Sequence, residues 1–190
     1  MQYLDHQVFI GGSIMHSQTE KNELLQRLDV AREHLLTAVA GLTEPQASFK
    51  PSPEAWSVAG IVEHLATVED FVLMRIEKMV SEPDGGNYKD SDVALFDRVA
   101  DRSAKFQAPE RVQPTGKPLA SSLERLASTR AKIVKLIQTA PDGHFRNHSM
   151  SHPVFGPLDG HQWLVATAGH CTRHTRQILE TKTSPNFPRQ

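Results

Sequence analysis

Apolar residues recur at helical spacing in four long stretches of the chain. In the first, from about Thr19 to Ala40, Leu24, Leu28, Ala31, Leu35, Ala38 and Leu42 alternate steps of four and three, the seam of a bundled helix. The second opens at Ser57, a suitable N-cap, and runs to about Val80. Its stripe is Val58, Ile61, Val62, Leu65, Val68, Val72, Ile76 and Met79, and the SEPDGGN segment breaks it. The third runs from about Leu119 to Gln138, with Leu123, Leu126, Ile133, Val134 and Ile137 apolar and its Lys and Arg residues read as a solvated face. The fourth follows Asp159, an N-cap with Gln162 three residues on as a capping box, and continues to about Glu180. Its stripe is Leu164, Ala168, Cys171 and Ile178. A shorter helix is predicted over Asp92 to Lys105, with Val93, Phe96, Val99 and Ala100 inward. No period-two alternation of any length appears, so no sheet is expected.

The linking segments are long and broken by proline and glycine. QASFKPSPEAWS precedes the second helix, APERVQPTGKP the third, and PDGHFRNHSMSHPVFGPLDG the fourth. Residues 1–18 contain Gly11-Gly12 and read as an irregular lead-in, packed over the domain by Tyr3, Leu4, Phe9 and Ile10. Residues 183–190, TSPNFPRQ, read as a frayed tail. The expectation is an all-α fold: one four-helix-bundle domain over residues 19–182, with long connections.

Composition narrows the function classes. A net charge of −1 with no basic face gives nucleic-acid binding no electrostatic support. No apolar run is long enough for a transmembrane helix, and the start lacks the pattern of a secretory signal. A single cysteine, Cys171, precludes an internal disulfide and fits a reducing, cytoplasmic setting. It lies at the centre of the fourth stripe, which marks it as a structural residue, not a nucleophile.

The chemistry sits with histidine. His170 and His174 are one turn apart beside the fourth stripe, and two imidazoles on one helix face aim at a common point. The pairs His144/His148 and His148/His152 share this spacing, but they fall among Gly143, Pro153, Gly156 and Pro157, where no helix runs. His34 is off its seam. His64 lies on the flank of the second stripe, so a bundle can bring it to His170 and His174 as a third nitrogen. A three-histidine set leaves a coordination position open for water or substrate. The alternative is three interface histidines satisfied by packing. Trp56 and Trp163 are either pocket walls or core. Gln177, one turn beyond His174, is placed to hydrogen-bond near such a site. Glu63 and Glu69, beside His64, read as solvated, and Arg173 and Arg176 as surface or interface residues. There is no HExxH, no ExxH and no phosphate-binding glycine loop.

Several short motifs, in order, resemble the DinB superfamily of metal-binding four-helix proteins. They are A-W-S at Ala55–Ser57, E-H-L-A at Glu63–Ala66, R-x-x-K-x-x-A-P at Arg102–Pro109 and P-T-G at Pro114–Gly116. H-P-V-F-G-P-L at His152–Leu158, Q-W-L at Gln162–Leu164 and G-H-C-T-R-H-T-R-Q-I at Gly169–Ile178 follow. One departure is Gly60, where a capping-box Glu or Gln is expected after Ser57. The resemblance implies a divalent transition metal (Zn, Ni or Fe) on His64, His170 and His174, with a small-molecule substrate and a homodimeric assembly. It also implies kinship with isomerases and S-transferases that use a low-molecular-weight thiol as cosubstrate. A metal-dependent hydrolase and a non-catalytic metal- or ligand-binding stress protein are the alternatives. No catalytic side chain is assigned.

Overall fold

The computed structural model describes residues 8–79, 91–141 and 143–189, with side chains from residue 18 onward. Six helices appear in it: α1 (Val8–Val39), α2 (Glu44–Ser48), α3 (Val58–Met79), α4 (Asp92–Ala100), α5 (Leu119–Thr139) and α6 (Gly160–Lys182). A 3-10 turn covers Glu110–Val112, and a hairpin pairs β1 (Ser149–His152) with β2 (Gly156–Asp159). The four long helices are those the apolar spacing predicts. Helix α6 packs on α1, α3 and α4, α3 packs on α5, and α5 touches α1, closing a four-helix ring. Leu24, Leu28, Leu35, Ile61, Leu65, Ile76, Ile133, Ile137, Leu164 and Ile178 fill it and are fully buried.

Several expectations fail locally. Helix α1 starts at Val8, so residues 8–18 are helical and not an irregular lead-in. Two glycines lower helix propensity by about 1 kcal/mol each but do not end a helix as proline does. Tyr3 and Leu4, the side chains of Phe9 and Ile10, and the SEPDGGN break lie outside the described residues.

Helix α4 stops at Ala100 and not near Lys105, because the Asp101 carboxylate accepts the backbone N–H and hydroxyl of Ser103. Its inward face is set by Leu95 at 0% exposure, while Val93 is 55% exposed, so the expected position of Val93 was wrong.

The hairpin is the one sheet among the described residues. Met150 pairs with Leu158 and both are buried, but four-residue strands carrying Pro157 give no alternation to read. Gly156 at the turn has φ +74°, which glycine adopts without strain.

The tail is not frayed over the residues described. Phe187 meets Phe49 edge-on at 5.5 Å, and Gln46 Nε2 donates to the Pro188 carbonyl at 3.0 Å.

Polar groups fix how α6 enters the bundle. The Asp159 carboxylate accepts the Gln162 N–H at 2.7 Å, and Gln162 Oε1 accepts the Asp159 N–H at 3.2 Å, completing the capping box. Arg146 reaches Glu20, Asp92 and Asp159 at 3.0, 2.6 and 3.1 Å, tying α1, α4 and the start of α6 together. Among the described residues no helix is long and apolar enough to cross a membrane.

Candidate metal centre

His64 lies on α3, and His170 and His174 lie one turn apart on α6. The packing of α3 on α6 brings the three rings together. His170 Nε2 is 3.2 Å from His64 Nε2 and 3.1 Å from His174 Nε2. Two nitrogens bound to one tetrahedral ion at ~2.0–2.1 Å stand about 3.3 Å apart, so the spacing suits a shared ion.

On two of the rings the other nitrogen is engaged. His64 Nδ1–H donates to the Val112 carbonyl at 2.7 Å, and His174 Nδ1–H donates to Gln177 Oε1 at 2.8 Å. An Nδ1 that donates leaves Nε2 as the lone-pair nitrogen, the form a cation takes. His64 and His174 are 4% and 7% exposed, and His170 is half-buried.

Burial also keeps the rings neutral. It pushes the His170 pKa well below the usual histidine range, helped by His174, His64, Arg173 and His152. Burial, then the neighbouring His64, takes His174 down to about 3, against the opposing bond to Gln177. Burial lowers His64 too, opposed by the Val112 bond. Neutral imidazole is the ligand state, so nothing need be deprotonated to admit a cation at neutral pH.

Trp56 stands against this group, its ring 4.8 Å from His64 and 6.3 Å from His174. Trp163 is elsewhere: its indole N–H donates to the Met150 carbonyl at 3.3 Å and its ring packs on His152 at 4.7 Å. His34 is exposed and is not among the histidines that converge. Cys171 is fully buried, its thiol donates to the Ala31 carbonyl at 3.5 Å, and burial pushes its pKa up to about 11, an inert structural thiol.

The neighbouring carboxylates are not solvated. Glu63 is 4% exposed and accepts the N–H groups of Thr115, Gly116 and Lys117 at 2.9–3.0 Å. Glu69 is 1% exposed and pairs with Arg130, whose Nε lies 2.8 Å from Oε2, so Arg130 is not part of a solvated face either. Arg173 is 8% exposed and donates to the Ala104 carbonyl, which places it under the segment after α4. Gly60 has a packing reason, since a Cβ there would stand 3.3 Å from Pro114. Ser57 still caps α3, its hydroxyl accepting the Gly60 N–H at 3.1 Å.

The loop at 112–117 was missed as a partner of the site. The APERVQPTGKP stretch reads as a connecting segment, and its residues could not say which helix it meets.

The structure resembles that of YfiT from Bacillus subtilis, described as a probable metal-dependent hydrolase with an unusual four-helix bundle topology. The TM-score is 0.61 at 19% identity over 85% of each chain. The uncharacterized protein YuaE of Bacillus subtilis (strain 168) is 26% identical over 159 residues, which span 80% of this chain and 93% of that protein. The sequence model of the DinB superfamily matches residues 27–178, from α1 through His170 and His174 on α6. A four-helix bundle whose sequence fits that model over most of its length belongs to the DinB superfamily.

Proposed function

We propose that the chain holds one divalent transition metal, Zn, Ni or Fe, on Nε2 of His64, His170 and His174, and uses it in S-transfer from a low-molecular-weight thiol to a small electrophile. The observation that carries this reading is the convergence of three Nε2 atoms, two of them on rings whose Nδ1 atoms are occupied by Val112 and Gln177. A divalent ion there would supply positive charge that favours the anionic form of a thiol or water at an open position. The chain's residues hold and orient, and Trp56 walls one side.

The choice of thiol over water rests on the carboxylates. Glu63 is consumed by the 115–117 loop and Glu69 by Arg130, so neither is left as a proton acceptor. A thiol, with pKa near 8.5, needs less help to lose its proton than water does. Hydrolysis is the second reading, favoured by the likeness to YfiT. The proposal includes a cytoplasmic homodimer.

The test loads the protein with Zn, Ni or Fe and measures conjugation of a panel of cellular thiols to monochlorobimane, alongside nitrophenyl-ester hydrolysis. Conjugation abolished by chelation and by His170→Ala supports S-transfer. Ester cleavage with the same dependence selects hydrolysis, and neither activity at full metal occupancy leaves a binding protein.

A further inference from the structure

The two tryptophans of the chain are held differently, and the difference bears on what the three-histidine centre accepts. Trp163 is 3% exposed, and its indole N–H is spent on the Met150 carbonyl. Trp56 immediately precedes Ser57, the cap of α3, and is only half-buried, with part of its ring packed on the core. Its indole N–H has no hydrogen-bond partner among the described residues and is not sealed from solvent. An indole committed to the interior ordinarily finds such a partner, as Trp163 does.

Direct ring contact joins Trp56 to the centre. Its ring stands 4.8 Å from that of His64 and 6.3 Å from that of His174, and those two imidazoles are 4.7 Å apart. The Nε2 atom of His64, one of the three that converge, belongs to the ring the indole meets. A ligand of a few atoms that starts at the three nitrogens therefore reaches the indole without movement of the chain. The charged groups described around the centre are committed elsewhere: Glu63 to the 115–117 loop, Glu69 to Arg130 and Arg173 to the Ala104 carbonyl. Gln177 is occupied by His174. What this side of the centre offers a ligand is an aromatic surface, which favours flat, uncharged groups by stacking or edge contact.

We propose that Trp56 sets the specificity of the three-histidine centre by receiving on its ring a planar, uncharged aryl or heteroaryl group that the substrate carries next to its reacting atom. The assignment rests on the metal reading above and narrows its small electrophile to an aromatic one. It makes Trp56 a substrate-contacting residue and leaves metal affinity to the three histidines.

Cobalt(II) loading gives a visible absorption band that responds to ligands at the ion. Acetohydroxamate and benzohydroxamate share one metal-binding group and differ in the aryl ring, so the ratio of their affinities reports what the ring meets. Trp56→Leu keeps an apolar side chain against the core and removes the aromatic surface, whereas Trp56→Phe keeps a ring. We expect the preference for benzohydroxamate to fall about three- to tenfold in Trp56→Leu and to stay within about twofold of wild type in Trp56→Phe, with acetohydroxamate bound equally by all three. A second measurement needs no variant. In zinc-loaded wild type the Trp56 indole N–H is the one that exchanges readily with water, since that of Trp163 is buried and bonded. Benzohydroxamate should shift its 15N–1H signal, and acetohydroxamate should shift it far less. An unchanged ratio in Trp56→Leu, an equal loss in Trp56→Phe, equal losses for both hydroxamates, or a Trp56 signal that both move alike would each overturn the assignment. A wild-type protein that shows no cobalt band would remove the metal reading and this one with it, and that is seen before any variant is made.

Discussion

Glu63 and Thr115 join the helix that carries His64 to the loop that orients it. One Glu63 oxygen accepts the Thr115 hydroxyl at 2.6 Å, and the other accepts the Gly116 and Lys117 N–H groups. Three residues upstream in that loop, the Val112 carbonyl takes His64 Nδ1–H. The carboxylate thus fixes a strand of backbone whose far end sets the tautomer of a candidate ligand.

This relationship predicts the effect of Glu63→Gln. Burial pushes the Glu63 pKa up, but the bonds from Thr115, Lys117 and Gly116 outweigh it and hold the carboxyl below its usual range. A neutral amide cannot accept at both ends, so the variant should lose about 1–3 kcal/mol in urea denaturation. It should also bind zinc more weakly, because Val112 is no longer pinned. Unchanged stability would mean that the loop is held by Pro114 against Gly60 alone.

The buried pair Glu69–Arg130 makes a separate prediction. Arg130 Nη1 also donates to the Leu28 carbonyl at 2.7 Å, so this guanidinium joins α5 to both α3 and α1. Arg130→Met should cost about 3–5 kcal/mol, since it strands a carboxylate at 1% exposure. The double variant Glu69→Leu/Arg130→Met should recover most of that loss, measured as a double-mutant cycle in urea. Additive losses would show that the two side chains are not energetically coupled and would overturn this reading of the pair.

Much of the fold was legible in the chain, and the reason is periodicity. Leu24 through Ala38 and Val58 through Met79 spell their buried faces mostly in steps of three and four, which marks α1 and α3 and their inward sides, and the apolar spacing of the third and fourth stretches marks α5 and α6. His170 and His174 could be paired from spacing because both lie on one helix. Joining His64 to them needed the bundle, where the sequence offered one flanking histidine on the second helix. What could not be read depends on contacts across long connections. Glu63 and Arg130 look solvated until the 112–117 loop and the Glu69 carboxylate are seen against them. His152 was set aside with His148 because no helix passes through Pro153, yet a hairpin places it against Trp163. Strands of four residues carry too few side chains to announce themselves.

The lowered histidine pKa values predict an acid-sensitive apoprotein. Unfolded histidine takes up a proton near pH 6.5. In the fold, burial lowers His152 to about 4 and burial with the nearby His64 lowers His174 to about 3. Between those limits the unfolded chain holds more protons, so stability is complete above about pH 7 and falls as pH drops toward 5. Each ring contributes about 2 kcal/mol of that fall over this interval. Urea melts of metal-free protein at pH 7.5 and pH 5 should show it; a flat profile would mean that these rings are solvated or already paired.

Gln177 offers the sharpest test of how the centre is held. Its Oε1 accepts the Nδ1–H of His174 at 2.8 Å, one turn further along α6, so the helix itself supplies the ring's orienting partner. His174 is 7% exposed, and without that acceptor its N–H has neither protein nor bulk water to turn to. Gln177→Leu should therefore weaken zinc binding by about 10- to 100-fold in competition with a chelator, leaving the helical circular dichroism intact. Gln177→Glu, a stronger acceptor in the same place, should restore or exceed wild-type affinity. His174→Ala should lose most of the metal, and His34→Ala, at an exposed position, should lose none. If Gln177→Leu binds zinc as tightly as wild type, the His174 ring is oriented by its packing against Trp56, 6.3 Å away, and not by the hydrogen bond.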